Sequence, residues 1–153
     1  MKNTVIIFIS TMLILGCISQ RGSSGKQGII GEVRWVEGNL MPAIGDNSYT
    51  QRAIGIPIER DIYIFNAVKR DNTISGGGSF FKSVNEKLVA RLNSNPDGIF
   101  KVKLPIGTYS IFVMEDQGYF ANIFDGNGYI NPVTVHANEF TEIKILVNYK
   151  AVY

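Results

Sequence analysis

The chain is poor in the residues that most often carry chemistry. Its 153 residues include one cysteine and one histidine. A single cysteine excludes any intramolecular disulfide and any cysteine-built zinc cage, and a single histidine excludes multi-histidine metal centres. Charge is scarce as well, at 18% of residues, and nearly balanced: 15 Lys+Arg face 13 Asp+Glu, for a net charge of +2. A nucleic-acid surface would need a dense basic patch, so no nucleic-acid partner is expected. No apolar run reaches the roughly 20 residues that span a bilayer. What is plentiful points elsewhere: hydrophobic residues reach 45%, and 16 glycines punctuate the chain. That is a globular composition rather than a disordered one, and the length fits one domain.

The longest apolar run sits near the beginning. Met1-Lys2-Asn3 is a short basic start, and residues 4–15 (TVIIFISTMLIL) have the length of a secretory h-region. Ile14-Leu15-Gly16-Cys17 follows, with a small residue directly before the cysteine. This resembles a bacterial lipobox, in which the signal is cut before the cysteine and the thiol receives a diacylglycerol. Gly16 suits the peptidase, while Ile14 and Leu15 depart from the usual Leu and small residue. The resemblance implies a signal peptide over residues 1–16 and lipidation at Cys17, with palmitate-type acyl chains as the membrane anchor. Ile18 stands where Asp would signal inner-membrane retention, so the resemblance implies the outer membrane of the cell envelope. A secretory signal with an unrelated cysteine, or an uncleaved anchor, are the other readings of these residues. Residues 17–27 then read as the lipidated cysteine and a flexible Gly/Ser tether, whose ten or so free residues reach roughly 15–20 Å.

From residue 28 to 153 the pattern is short apolar-alternating runs separated by Gly, Asn, Asp and Pro, which predicts an all-β sandwich. Ile143, Ile145, Val147 and Tyr149 share one face of a strand over 141–149, opposite Glu142, Lys144 and Asn148. Val33 and Trp35 alternate with Glu32 and Arg34. Residues 62–65 (IYIF) are apolar on both sides, as in a central strand whose second face is covered by loops or a partner. Leu88, Ala90 and Leu92 form a fourth strand. Asn95-Pro96-Asp97-Gly98 turns it into Phe100, Val102 and Leu104. Residues 109–114 and 133–135 complete about seven strands, the arithmetic of a sandwich. A helix over 80–92 is the weaker alternative, given Asn85 and its short length.

Residues 97–109 (DGIFKVKLPIGTY) have the form DGxFxVxLPxGxY, and Gly118-Tyr119 follows. This resembles the carboxypeptidase regulatory-like, transthyretin-like family of seven-stranded Greek-key β-sandwiches. Gly31-Glu32-Val33 and Gly55-Ile56-Pro57-Ile58 fit the same pattern, and 28–153 as a whole looks like small Bacteroidetes lipoproteins of that family. The motif's work is structural: Gly98 and Gly107 permit turns, while Phe100, Leu104 and Tyr109 fill the core. The resemblance implies a fold and no chemistry.

Candidate sites are few. His136 alternates away from Val133 and Val135, which reads as a solvated histidine; a hydrolase or metal-dependent enzyme would have to group it with carboxylates such as Asp125 or Glu139. Intradiol dioxygenases and hydroxyisourate hydrolase-like enzymes need more histidines than this chain holds. There is no Gly-x-Ser-x-Gly elbow. Gly76-Gly77-Gly78 lacks the Lys-Ser/Thr of a phosphate loop and reads as a flexible loop. Asp125-Gly126-Asn127-Gly128, with Glu115 and Asp116 upstream, lacks the oxygens of a calcium loop and reads as a turn. No catalytic residue, metal or cofactor is therefore expected. The segment 118–132 places Tyr119, Phe120, Phe124 and Tyr129 in a Gly/Asn-rich stretch, where rings stack on sugars, anchor a peptide or cap the sandwich. The connection 66–84 is long, as functional or mobile loops are. The expectation is a non-enzymatic module that binds an envelope protein or a glycan, or serves as a scaffold.

Overall fold

A computed structural model describes residues 26–41 and 49–153. The expected signal peptide over 1–16, the expected lipidation site Cys17 and most of the expected tether lie outside the described residues. The order is β1 (Gly28–Asn39), α1 (Tyr49–Ile54), β2 (Ile56–Pro57), β3 (Asp61–Asn66), β4 (Thr73–Gly77), β5 (Phe80–Val84), β6 (Leu88–Asn93), β7 (Ile99–Lys103), β8 (Gly107–Glu115), β9 (Gly118–Phe120), β10 (Pro132–Val135) and β11 (Phe140–Val152). The seven strands legible in the sequence are all present. Four more, β2, β4, β5 and β9, are short pieces that carry little alternation of their own. Where a helix was the alternative over 80–92, the chain forms β5, a turn and β6. Among the described residues no helix is long and apolar enough to cross a membrane.

The strands form two sheets packed as an all-β sandwich. In the first, β1 is central: β11 lies along one side, while β7 and β2 share the other. Alternation sends Ile29 and Val33 to the core and leaves Glu32 and Arg34 on the outside. β1 and β11 run parallel from Gly28↔Phe140 to Asn39↔Val152, with a bulge between Trp35 and Glu37. The second sheet runs β4-β5-β9-β8-β3-β6, with β10 also on β8. The chain crosses between sheets from β6 to β7, back to β8, and again from β10 to β11, so sequence neighbours are interleaved in Greek-key fashion.

Both faces of the second sheet are apolar, for different reasons. Ile62, Ile64, Ile111 and Val113 face the first sheet and meet Ile29, Val33, Phe100, Ile145 and Val147 in the main core. On the other face Phe65, Phe112 and Phe81 form a second cluster under Val68, Ala121 and Ile130. Two loop segments, 66–72 and 121–131, thus supply the cover that the doubly apolar 62–65 run demanded. Buried polar groups fasten this cover. The Val68 amide donates to Ser110 Oγ at 2.9 Å, and Asn131 Nδ2 donates to the Ile111 carbonyl at 2.7 Å. The 66–84 connection is therefore not free: its second half is the β4–β5 hairpin, and Gly76–78 lie at its tip.

Strand directions define two ends of the sandwich. One holds the start of β1, the β7–β8 turn and the β10–β11 turn; the other holds the ends of β1, β8 and β11 and the β6–β7 turn. We refer to them as the entry end and the far end.

Candidate functional site

At the far end the two sheets part around a cleft of about 650 Å³. Trp35 of β1 and Tyr149 and Lys150 of β11 line it from the first sheet. The second sheet contributes Glu59, Arg60 and Asp61 at the start of β3, Asn93 at the end of β6, and Met114, Glu115 and Asp116 at the end of β8. The alternation that buries Ile145 and Val147 carries Tyr149 to the inner face, just where the sheets diverge.

The rings and charges are mutually arranged. Trp35 and Tyr149 meet edge to face, with centroids 5.1 Å apart, and Lys150 Nζ lies 5.4 Å from the centre of the Trp35 ring. Phe80 and Phe120 back Tyr149 from the core side at 4.9 and 5.7 Å. Beneath the rings, the Glu115 side chain is only 5% exposed. Arg60 Nε donates to its Oε1 at 2.7 Å, and the Tyr149 hydroxyl donates to its Oε2 at 3.0 Å. Burial, then the neighbouring Glu115, push the Tyr149 phenol above the ordinary tyrosine range, and Arg60 opposes them. Both oxygens of Glu115 are engaged, so this carboxylate holds the floor of the cleft together. Glu59, Asp61, Asn93 and Asp116 offer further oxygen and amide groups around the rim.

The sequence-predicted residues scatter. Phe120 is 1% exposed and packs on Phe80 and Tyr149, so its expected binding role is corrected: β9 alternates, and Phe120 takes the inward position. Tyr119, the outward neighbour, is half-buried against Tyr63, Phe65 and Phe112. Phe124 is 40% exposed, resting on Phe81 with the Arg70 guanidinium 5.5 Å from its ring centre. Tyr129 is half-buried with Lys69 Nζ 5.2 Å from its ring centre. Phe124 and Tyr129 therefore stay available at the surface, on the loop that covers the second sheet.

His136 is exposed in the β10–β11 turn at the entry end, away from the cleft. Asp125 Oδ1 accepts the amides of Asn127 and Tyr129, the geometry of a turn. Among the described residues no three His, Cys, Asp or Glu side chains are grouped to hold a metal ion. Sequence reasoning missed the cleft because Trp35, Arg60, Glu115 and Tyr149 are far apart along the chain. The available signal was the single tryptophan and Tyr149 continuing an apolar face beyond the core.

No protein-family model matches the chain, and no curated protein matches it. Among solved structures, the crystal structure of (S)-allantoin synthase aligns with 82% of this chain and 42% of its own, at 15% identity and a TM-score of 0.34. The chain thus spans less than half the length of that protein, and a likeness of this degree carries no functional argument.

Proposed function

We propose that this chain is a non-enzymatic lipoprotein of the outer membrane, tethered through Cys17, whose β-sandwich binds an envelope glycan or envelope protein in the far-end cleft. The lipobox-like Ile14-Leu15-Gly16-Cys17 supports the anchor, and the DGxFxVxLPxGxY run supports kinship with carboxypeptidase regulatory-like domains. One observation carries the binding reading. An aromatic wall, Trp35 against Tyr149, stands over an Arg60–Glu115 pair whose second carboxylate oxygen accepts the Tyr149 hydroxyl. That arrangement supplies a shaped, polar-rimmed surface whose floor is fixed by hydrogen bonds to both oxygens of Glu115. A glycan is the first ligand to test, because sugar C–H faces pack on rings while hydroxyls pair with Asp61, Asn93 and Asp116.

The chain's single tryptophan lines the cleft, so its emission reports occupancy directly. Titration of the full-length chain with a panel of envelope saccharides should shift Trp35 emission for at least one member. Asn93→Ala with Asp116→Ala, both exposed positions, should weaken that binding about tenfold while leaving Tm near wild type. Emission that responds to an envelope protein and to no saccharide assigns the protein ligand. Emission that responds to neither removes the cleft from consideration, and turnover of a bound ligand would overturn the non-enzymatic reading.

A further inference from the structure

We propose that the entry end is a membrane seat: the Pro105-Ile106 turn and the lysines at that end rest on an anionic bilayer surface, and the cleft is held away from it. This rests on the lipoprotein reading of Cys17 and adds an orientation to it. The starting point is Gln27, the last residue before β1. It is 7% exposed, an unusual fate for a tether glutamine. Its Nε2 donates to the Leu104 carbonyl at 3.4 Å, and its Oε1 accepts the Asn138 amide at 3.2 Å. One side chain thus ties the chain's entry point to both turns of that end, the one after β7 and the one before β11. The chain therefore enters β1 beside the β7–β8 turn that holds Pro105 and Ile106.

Only the nine or so residues after Cys17 separate this fixed point from the lipid, a reach of roughly 15–18 Å for a Gly/Ser-rich chain. A domain held so closely meets the membrane with its entry end. What that end displays fits a lipid surface. Ile106, at the tip of the β7–β8 turn, is 63% exposed, and Leu88, at the entry-end start of β6, is 45% exposed. Lys26, Lys87 and Lys103 are exposed at the same end. Its acidic groups include Glu86, whose Oε1 accepts the Asn72 amide at 2.6 Å, the exposed Asp71 beside Asn72, and Glu139 in the β10–β11 turn, and Lys69 and Arg70 directly precede Asp71. The far end has the opposite balance, with Glu37, Glu59, Asp61, Asp97, Glu115 and Asp116 against Arg52, Arg60, Arg91 and Lys150. A bilayer carrying anionic headgroups attracts the lysine-bearing end and repels the acidic one. An apolar tip between lysines is the arrangement that enters the headgroup layer.

The test uses the full-length lipoprotein in vesicles of phosphatidylethanolamine and phosphatidylglycerol. An acylated Cys17 carries no free thiol, so Ile106→Cys or Asp116→Cys takes a polarity-sensitive dye at one site. The proposal expects blue-shifted emission at 106, shielded from iodide, and water-like, quenchable emission at 116. Lys87→Glu with Lys103→Glu should return the 106 dye toward water, and so should phosphatidylcholine in place of the anionic lipid. A quenchable dye at 106, with Cys17 shown by mass spectrometry to be acylated, overturns the membrane seat and leaves the lipoprotein reading standing. An unacylated Cys17 overturns both. The same blue shift without vesicles would mean that protein covers the turn, and overturns the seat.

Discussion

Phe120 and Phe124 belong to one aromatic segment, yet the first is 1% exposed and the second 40%. Four residues of spacing in a chain that leaves β9 for a loop carry them to different sides of the second sheet. Phe120→Ala opens a hole under Tyr149 and Phe80, and should cost about 3–5 kcal/mol in chemical denaturation. Phe124→Ala should cost about 1 kcal/mol or less, since much of its ring already meets water. Equal losses at the two sites would refute this partition. The tyrosines carry a second prediction at this scale. Burial is the leading cause that raises the phenols of Tyr109, Tyr119 and Tyr149. A phenol raised in the fold holds its proton more tightly than in the unfolded chain. Its stabilising contribution is complete below the unfolded value of about 10 and is lost as pH climbs through the folded value. Denaturation midpoints should therefore fall above about pH 10. Tyr149→Phe should lower stability by about 1 kcal/mol at neutral pH, through the lost bond to Glu115, and make the alkaline fall shallower. None of this was legible residue by residue, because alternation says which way a ring points and not what stands opposite it.

At the scale of elements, the turn between β6 and β7 is the place where sequence and geometry agree most closely. Gly98 has φ +75, and a Cβ added there would stand 2.3 Å from the Val33 carbonyl oxygen. Its amide donates to the Asn95 carbonyl at 2.8 Å, and its carbonyl accepts the Val33 amide at 2.8 Å. Gly98→Ala should therefore cost well over about 1 kcal/mol, from left-handed strain and a backbone clash together. Gly126→Ala, with nothing within 4 Å, should be near neutral in the same thermal melts. Comparable shifts for the two would contradict the account. β11 shows what the pattern left open. Its alternation predicted a strand but not its parallel partner, and the long β11 edge is partly capped by Asn122, whose Nδ2 donates to the Leu146 carbonyl at 3.2 Å. That cap joins residues 24 positions apart and leaves no periodic trace.

Across the whole molecule, the second sheet belongs to two apolar clusters at once: β3 and β8 send Ile62, Ile64, Ile111 and Val113 to one face and Phe65 and Phe112 to the other. Neither cluster can dissolve without disturbing strands that the other needs. Urea unfolding should therefore be a single transition, with Trp35 emission and far-UV circular dichroism coinciding. Two separated transitions would mean that the outer loops and Val68 melt independently of the sandwich. The sequence by itself determined the class of fold, the positions of seven strands, the Gly98 turn and the doubly apolar β3 that had to be covered, because periodicity, turn chemistry and burial are written locally. Tertiary structure alone decided that 66–72 and 121–131 are the cover, that Phe120 is core, that Glu115 lies between Arg60 and Tyr149, and that Gln27 joins the start of β1 to Leu104 and Asn138. Each of those depends on which segments meet across the sandwich, and that is set by packing two sheets together rather than by any stretch of neighbouring residues.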